Sequence, residues 1–198
     1  MDRPPSASTP TPFEPWRERL RALPVFPEDL PPFVPESAPE DPLELAASWL
    51  EDAIAAGLLQ PHAATWSTVD EHGAPSSRTL ILKDLTGEGF WFATPSDSPM
   101  GRDLAGNRAI ALHLYWGELG RQVRVTGTAV PGPPAVSDAD WAARSPAARA
   151  EADPATWTAY LLRPTAIEFF AASPSRTHLR LRYRAAPDGS WVRERLAA

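Results

Sequence analysis

The stretch AIALHLYWGELGRQVRVTGTAV, Ala109–Val130, decides the fold. It holds two runs of strand formers, Ala109–Trp116 and Gln122–Val130, around the turn Gly117-Glu118-Leu119-Gly120, and so reads as an antiparallel pair. Toward the N-terminus, Ala64–Asp70, Ser77–Lys83 and Phe90–Thr94 read as three more strands. Their turns fall at Glu71-His72-Gly73-Ala74 and Thr86-Gly87-Glu88-Gly89. A short helix near Gly101–Gly106 separates the third strand from the fourth. Five strands in about 70 residues with tight connections predict an antiparallel meander or barrel, and not βαβ units.

Helical signals flank this meander. Asp41 can cap, Pro42 takes the first helical position and Glu44 follows three residues after the cap. Leu43, Ala46, Leu50, Ile54 and Leu58 then recur at helical spacing up to Gly57 and Pro61, which predicts a core-facing helix over about 42–57. After Pro131-Gly132-Pro133-Pro134 a second helix is expected, with Ser137 as cap and Asp138 and Asp140 in its first turn. It would run to about Ala152 with a kink at Pro146 and end at Asp153-Pro154. Three closing strands follow: Ala166–Ala171, Leu179–Ala185 and Trp191–Leu196, the last two joined by Pro187-Asp188-Gly189. Residues 1–40 read as a proline-rich arm outside a domain of residues 41–198. Its later part, Pro24 to Pro35, suggests an extended strap whose aromatics, Phe26 and Phe33, dock on the body.

The chain has 198 residues and no cysteine, which excludes disulfides, thiolate zinc sites, iron–sulfur clusters and cysteine nucleophiles. No run approaches the roughly 18 apolar residues of a membrane helix, and the start lacks a secretory core, so a cytoplasmic protein without membrane association is expected. A net charge of −6 argues against nucleic-acid binding. No histidine spacing resembles a metal site, and Gly-rich phosphate loops are absent.

Basic residues are unevenly used. Of 19 Lys and Arg, only Lys83 is a lysine, as if a compact ammonium were needed there. Arg78 lies five residues earlier, so in a regular strand the two face opposite ways; one ligand could meet both only at a strand end, a bulge or a subunit boundary. Arg176, Arg180, Arg182, Arg184, Arg193 and Arg195 crowd the last strands, either to bind an anion or to pair with acids of the N-terminal half. In a strand His178 would share a face with Arg176 and Arg180, a cationic row that attracts an anionic substrate; a surface histidine in a basic hairpin is the other reading. His62, His72 and His113 have no comparable setting.

Asp41-Pro42-Leu43, Thr68-Val69-Asp70-Glu71-His72-Gly73, Ser77-Arg78-Thr79-Leu80-Ile81-Leu82-Lys83, Tyr115-Trp116, Arg121-Gln122-Val123, Ile167-Glu168-Phe169 and the run Arg176 to Tyr183 occur in this order. Together they resemble the pyridoxamine 5′-phosphate oxidase family over about residues 41–198. The resemblance implies an FMN-binding split β-barrel that dimerises with flavin in the interface. It also implies that Arg78, Thr79, Leu80, Ile81, Leu82, Lys83, Ala93, Thr94, Gln122, Phe170 and Arg180 hold FMN. Lys83 and Arg144 would clamp a substrate phosphate, and Arg176 and His178 would face the substrate ring as catalytic residues. The implied reaction oxidises pyridoxamine or pyridoxine 5′-phosphate to pyridoxal 5′-phosphate, with dioxygen reoxidising the flavin to give hydrogen peroxide.

The chain departs from the family pattern in places. Pro99-Met100 stands where the family sets a basic pair on the FMN phosphate, Phe170 replaces a flavin-contacting tryptophan, and Asp140 aligns with a tyrosine of the substrate phosphate site. The segment from Arg144 to Phe170 is shorter, the family's phosphate-binding serine has no match, and the arm lacks the substrate-covering Arg and Tyr. These departures leave open a flavin-dependent tailoring oxidoreductase of secondary metabolism, for example in phenazine assembly, or a non-catalytic flavin- or ligand-binding split barrel.

Overall fold

Strict alternation of buried and solvent-facing side chains marks the strands that wall the core. The computed structural model describes residues 14–173, 175 and 177–197, and its strands are β1 (Ala63–Val69), β2 (Pro75–Ile81), β3 (Asp84–Thr86), β4 (Gly89–Pro95), β5 (Ala109–Trp116), β6 (Arg121–Pro131), β7 (Trp157–Ala171), β8 (Leu179–Ala185) and β9 (Trp191–Leu196). In β1, β5 and residues 121–125 of β6 every second residue is buried, so Trp66, Leu112, Leu114, Val123 and Val125 turn inward. All pairings are antiparallel, in the order β2-β1-β5-β6-β7-β4-β3, with β8 added on β7 and β9 on β8. The result is the mainly antiparallel half-barrel expected of the meander.

β7 divides the sheet. Its first half pairs with β4, from Trp157 to Leu162, and its second half with β8, from Ala166 to Ala171, while β6 follows it throughout. The register shifts between Thr126 and Gly127, opposite Pro164. A side chain on Gly127 would lie 2.0 Å from the Arg163 carbonyl oxygen, so only glycine fits this bulge. The sequence predicts a strand over Ala166–Ala171 alone. Pro164 hides the earlier half, which is buried on both faces and lacks alternation.

The helices are α1 (Glu14–Arg21), α2 (Pro42–Ala55), α3 (Pro99–Gly106), α4 (Pro134–Ala143) and α5 (Pro146–Ala150). Asp41 caps α2 by accepting from the Leu43 N–H at 2.8 Å. The buried face of α2 is Leu43, Leu45, Ala46, Trp49 and Ala53, whereas Ile54, expected on it, is 51% exposed. Trp49 sets this rotation. Its ring meets Phe33 and Phe169 edge-on at 5.1 and 5.2 Å, and the buried Arg121 guanidinium lies 4.6 Å from its centroid while bonding Asp52.

Ser137 does not cap α4. The helix starts three residues earlier at Pro134, and the Ser137 hydroxyl accepts from the Ala159 N–H at 3.0 Å, pinning α4 to β7. Asp140 therefore lies in the later part of α4, not its first turn. The expected kink at Pro146 is a full break, with Ser145 capping the separate helix α5.

The strap docks as its aromatics suggest. Phe33 packs on the core, the Tyr183 hydroxyl donates to the Pro39 carbonyl at 2.7 Å, and Arg193 and Arg195 bond Ala38 O and Glu36. The arginine-rich hairpin thus spends Arg193 and Arg195 on the N-terminal segment, and Arg182 pairs with Glu194 at 2.9 Å. Among the described residues no helix is long and apolar enough to cross a membrane.

Candidate functional site

The residues singled out in the sequence are distributed over three clusters. The first surrounds Arg78. On β2 its guanidinium donates to the Thr68 hydroxyl and to the Ser76 hydroxyl, each at 2.6 Å, and lies 3.6 Å from Asp103 of α3. Thr68 and Ser76 also donate to Asp103, at 2.6 and 3.0 Å. Neighbouring Thr79 and Ile81 are exposed, while Leu80 packs on the core and Leu82 is buried in it. Ala93 and Thr94, on β4, are buried, and the Thr94 hydroxyl meets Ser98 at 3.1 Å. Ser98 caps α3 by accepting from the Gly101 N–H at 3.0 Å; Pro99 opens that helix and Met100 is buried beneath it.

The second cluster surrounds Lys83. β2 ends at Ile81, so Lys83 leaves the strand and the parity argument with Arg78 does not apply to it. Its ammonium lies 3.0 Å from Asp140 Oδ1, and the Trp157 indole N–H donates to Asp140 Oδ2 at 2.8 Å. The Arg144 guanidinium stacks on Trp157, 3.9 Å from a ring centroid, and donates to the Ala148 carbonyl at 2.8 Å. Its Nε is buried without a hydrogen-bond partner among the described residues. Lys83 and Arg144, paired by resemblance, are thus joined through Asp140 and Trp157.

The third cluster lines a cavity of about 470 Å³ formed by His113, Gln122, Arg124, Glu168, Phe170, His178 and Arg180. The strand period places Gln122 and Arg124 on one face of β6, and Glu168 and Phe170 on the same face of β7. Glu168 is 8% exposed, yet accepts from Arg180 Nε and Nη2 at 3.0 and 2.5 Å and from Arg124 Nη2 at 2.7 Å. Gln122 meets His113 Nε2 at 3.2 Å. The expected shared strand face of Arg176, His178 and Arg180 is not formed. β8 begins at Leu179, His178 precedes it, and Arg176 lies outside the described residues. Instead, His178 Nδ1 accepts from the Ser173 N–H at 3.1 Å, so in this arrangement the ring's proton sits on Nε2. His178 packs 5.2 Å from Phe170, and Phe26 of the strap covers both rings at 5.7 and 6.3 Å.

Sequence reading missed His113, Asp103, Arg124, Glu168 and Phe26 as site residues. Glu168 had a signal, being an acid inside an apolar run with arginines at matching parity on two neighbouring strands. Phe26 had none beyond its place among prolines.

The donor set suits FMN at its ring end. Phe170 supplies a flat apolar face, and the Gln122 amide and the Arg180 guanidinium supply donors for ring carbonyls. The phosphate end fits less well: Arg78 with Ser76 and Thr68 offers a guanidinium and hydroxyls, but Asp103 already engages all three, and Pro99-Met100 contributes no charge.

Residues 50–182 match the family model described as pyridoxamine 5′-phosphate oxidase. Pyridoxine/pyridoxamine 5′-phosphate oxidase of Mannheimia succiniciproducens is 37% identical over 189 residues, covering 80% of this chain and 89% of that protein. The enzyme of the same name from Alcanivorax borkumensis is 36% identical over 189 residues, covering 80% and 90%. Among solved structures, PhzG from Burkholderia lata 383 in complex with tetrahydrophenazine-1-carboxylic acid superposes with a TM-score of 0.79 at 28% identity, covering 85% of this chain and 99% of that one. A pyridoxamine 5′-phosphate oxidase-related, FMN-binding protein from Nostoc punctiforme shares the fold, with a TM-score of 0.70 at 17% identity and coverage of 79% and 98%. The chain belongs to the pyridoxamine 5′-phosphate oxidase family, as an FMN-dependent oxidoreductase with the family's split-barrel fold.

Proposed function

We propose that the chain oxidises a planar, anionic ring substrate, with pyridoxine or pyridoxamine 5′-phosphate as the first candidate. The observation that carries this reading is the third cluster: His178, its Nδ1 tied to the Ser173 N–H, lines one cavity with Phe170, Gln122 and Arg180. When bound, FMN would supply the redox chemistry: it would take one hydride, that is two electrons and a proton, from the substrate carbon, and pass the two electrons to dioxygen, which with two protons gives hydrogen peroxide. The protein's part is orientation and charge. Gln122, Phe170 and Arg180 hold the flavin ring, Arg78 its phosphate, and Ala93, Thr94 and the Thr79–Lys83 backbone frame it. His178 donates from Nε2 to a polar group of the substrate, and the strap's Phe26 excludes water above it. Arg176 belongs to the same proposal as a substrate-facing cation.

Arg78, Lys83 and Arg180 lie in separate clusters of one chain. This supports a homodimer in which two copies complete each flavin site between them. The half-exposed Tyr115 and Ile81 on the outward sheet face are consistent with such a boundary.

The Asp140–Lys83 ion pair favours a second reading, a tailoring oxidase acting on another ring substrate, as the likeness to PhzG also suggests. The test is to load the purified chain with FMN and supply pyridoxine 5′-phosphate under air. A flavin spectrum with stoichiometric hydrogen peroxide and pyridoxal 5′-phosphate is expected under the first reading. A flavin spectrum without turnover leaves the second, and failure to take up FMN defeats both.

A further inference from the structure

We infer that the Lys83 cluster selects a monocarboxylate over a phosphate monoester, which assigns Asp140 as the residue that sets substrate charge. The inference rests on the second reading above, an oxidase of another ring substrate, names that substrate's class, and if upheld displaces pyridoxine 5′-phosphate as the first candidate.

The charge count is short. Lys83 and Arg144 bring two positive charges, and Asp140 brings one negative charge 3.0 Å from the lysine nitrogen. Among these three groups a single positive charge is left uncompensated, and Glu51 and Asp84, which line a cavity with Lys83, add no positive charge. A phosphate monoester carries about −1.5 to −2 near neutral pH, a ring carboxylate −1. A dianion at Lys83 would therefore face the Asp140 carboxylate at close range, where like charges disfavour binding.

Asp140 is not free to withdraw. Its second oxygen accepts from the Trp157 indole, its side chain is 16% exposed, and Ser137 ties the same helix to β7. Swinging it aside would leave the indole N–H of the buried Trp157 without an acceptor. Arg144, in contrast, keeps an unspent donor. Its Nε has no partner among the described residues, and the stacking on Trp157 holds the guanidinium plane in place. With Nη2 spent on the Ala148 carbonyl, that one donor and one net positive charge match one carboxylate better than a dianion. Lys83 is 34% exposed at its side chain, so its ammonium is open to a ligand. The ligand class is thus a flat ring bearing one carboxylate.

The experiment titrates the FMN-loaded full-length chain with pyridoxal 5′-phosphate and, separately, with phenazine-1-carboxylate, following the flavin absorbance. The native chain is expected to bind the carboxylate at least tenfold more tightly. Asp140→Asn, which keeps an acceptor for Trp157, should shift that ratio toward the phosphate ester by tenfold or more, and Asp140→Glu should leave it near the native value. Equal or tighter binding of the phosphate ester by the native chain overturns the inference, as does a ratio that Asp140→Asn does not move. Failure to take up FMN would defeat the oxidase reading alone. Calorimetric titration of the flavin-free chain with the same two ligands then reads the same ratio, with the same outcomes supporting or overturning charge selection.

Discussion

Glu168 and Asp140 each bring a carboxylate to basic residues, but the fold reaches them by different routes. Glu168 is built into the sheet: the register pairs it with Arg124 on β6 and Arg182 on β8, two residues on from the diagonal neighbour Arg180. It accepts three charge-assisted hydrogen bonds from two arginines and ties three strands together. Asp140 comes from a helix and meets a lysine just beyond the end of β2, across a loop and not along a ladder. The first carboxylate is a brace, and its cations are fixed by strand geometry. The second adjusts the charge of a ligand site, and its cation has a free side facing solvent.

Removing the brace should have the largest effect. Glu168→Ala strips the shared acceptor from Arg124 and Arg180 at a buried position. Breaking a buried pair in this way costs about 3 kcal/mol, the lower end of the range because both arginines reach solvent. Chemical denaturation should show that loss, and FMN titration should show weaker binding because Arg180 loses its orientation. A variant as stable as the native chain would mean that Glu168 braces nothing.

A smaller effect is expected where the strap joins the same sheet. Tyr183 on β8 is fully buried, with its hydroxyl donating to Pro39 O. Tyr183→Phe should cost about 1 kcal/mol, the net value of one hydrogen bond. Burial raises the phenol's pKa above its ordinary 10.0, against a smaller lowering by Arg193. The folded state thus keeps the proton longer than the unfolded chain does. Its contribution is whole below pH about 10 and is lost as pH rises through the folded value. The melting temperature should fall more steeply above pH about 10 in the native chain than in Tyr183→Phe. Equal slopes would show that this phenol plays no part in alkaline unfolding. Tyr160 is pushed the same way by burial and keeps a part of the slope in both proteins.

Phe26 belongs to the strap but touches the site. Aromatic pairs of this kind are worth about 0.5–1.5 kcal/mol, and Phe26 contacts two rings at the outer part of that distance range. Phe26→Ala should therefore leave denaturation nearly unchanged and raise the KM for a ring substrate a few-fold with kcat nearly constant. A kcat loss without a KM change would place Phe26 in the chemical step, not in covering the substrate.

The strands that carry the brace were legible in the sequence; the brace itself and the contact between Lys83 and Asp140 were not. The strand formers on either side of Gly117-Glu118-Leu119-Gly120 announce the β5–β6 pair, and the bounds of β5, β8 and β9 follow from their flanking turns. Local rules failed where a distant contact decides. Pro164 looks like a strand breaker until Gly127 accommodates it across the ladder. Ser137 looks like a cap until β7 supplies an unpaired N–H. The meeting of Lys83 with Asp140 depends on how a proline-bounded helix lies on β7, which no spacing rule encodes. The lone lysine drew attention to position 83, and only the family resemblance, not local spacing, set Asp140 in the same site; the local rules put that carboxylate in the first turn of a helix.

The smallest stability effect belongs to Asp140 itself. Its partner Lys83 is 34% exposed, so solvent screens the pair, and such pairs contribute about 0–1 kcal/mol. Asp140→Asn keeps an oxygen for the Trp157 indole, so denaturation should shift by less than about 1 kcal/mol. Glu168→Gln, an equally conservative change, should cost clearly more, because three charge-assisted hydrogen bonds weaken at once. If the two amide variants were equally destabilised, Asp140 would be a second brace and its charge would serve the fold. If only Glu168→Gln is destabilised, the carboxylate at position 140 is free of structural duty, and its charge is left to act on whatever approaches Lys83.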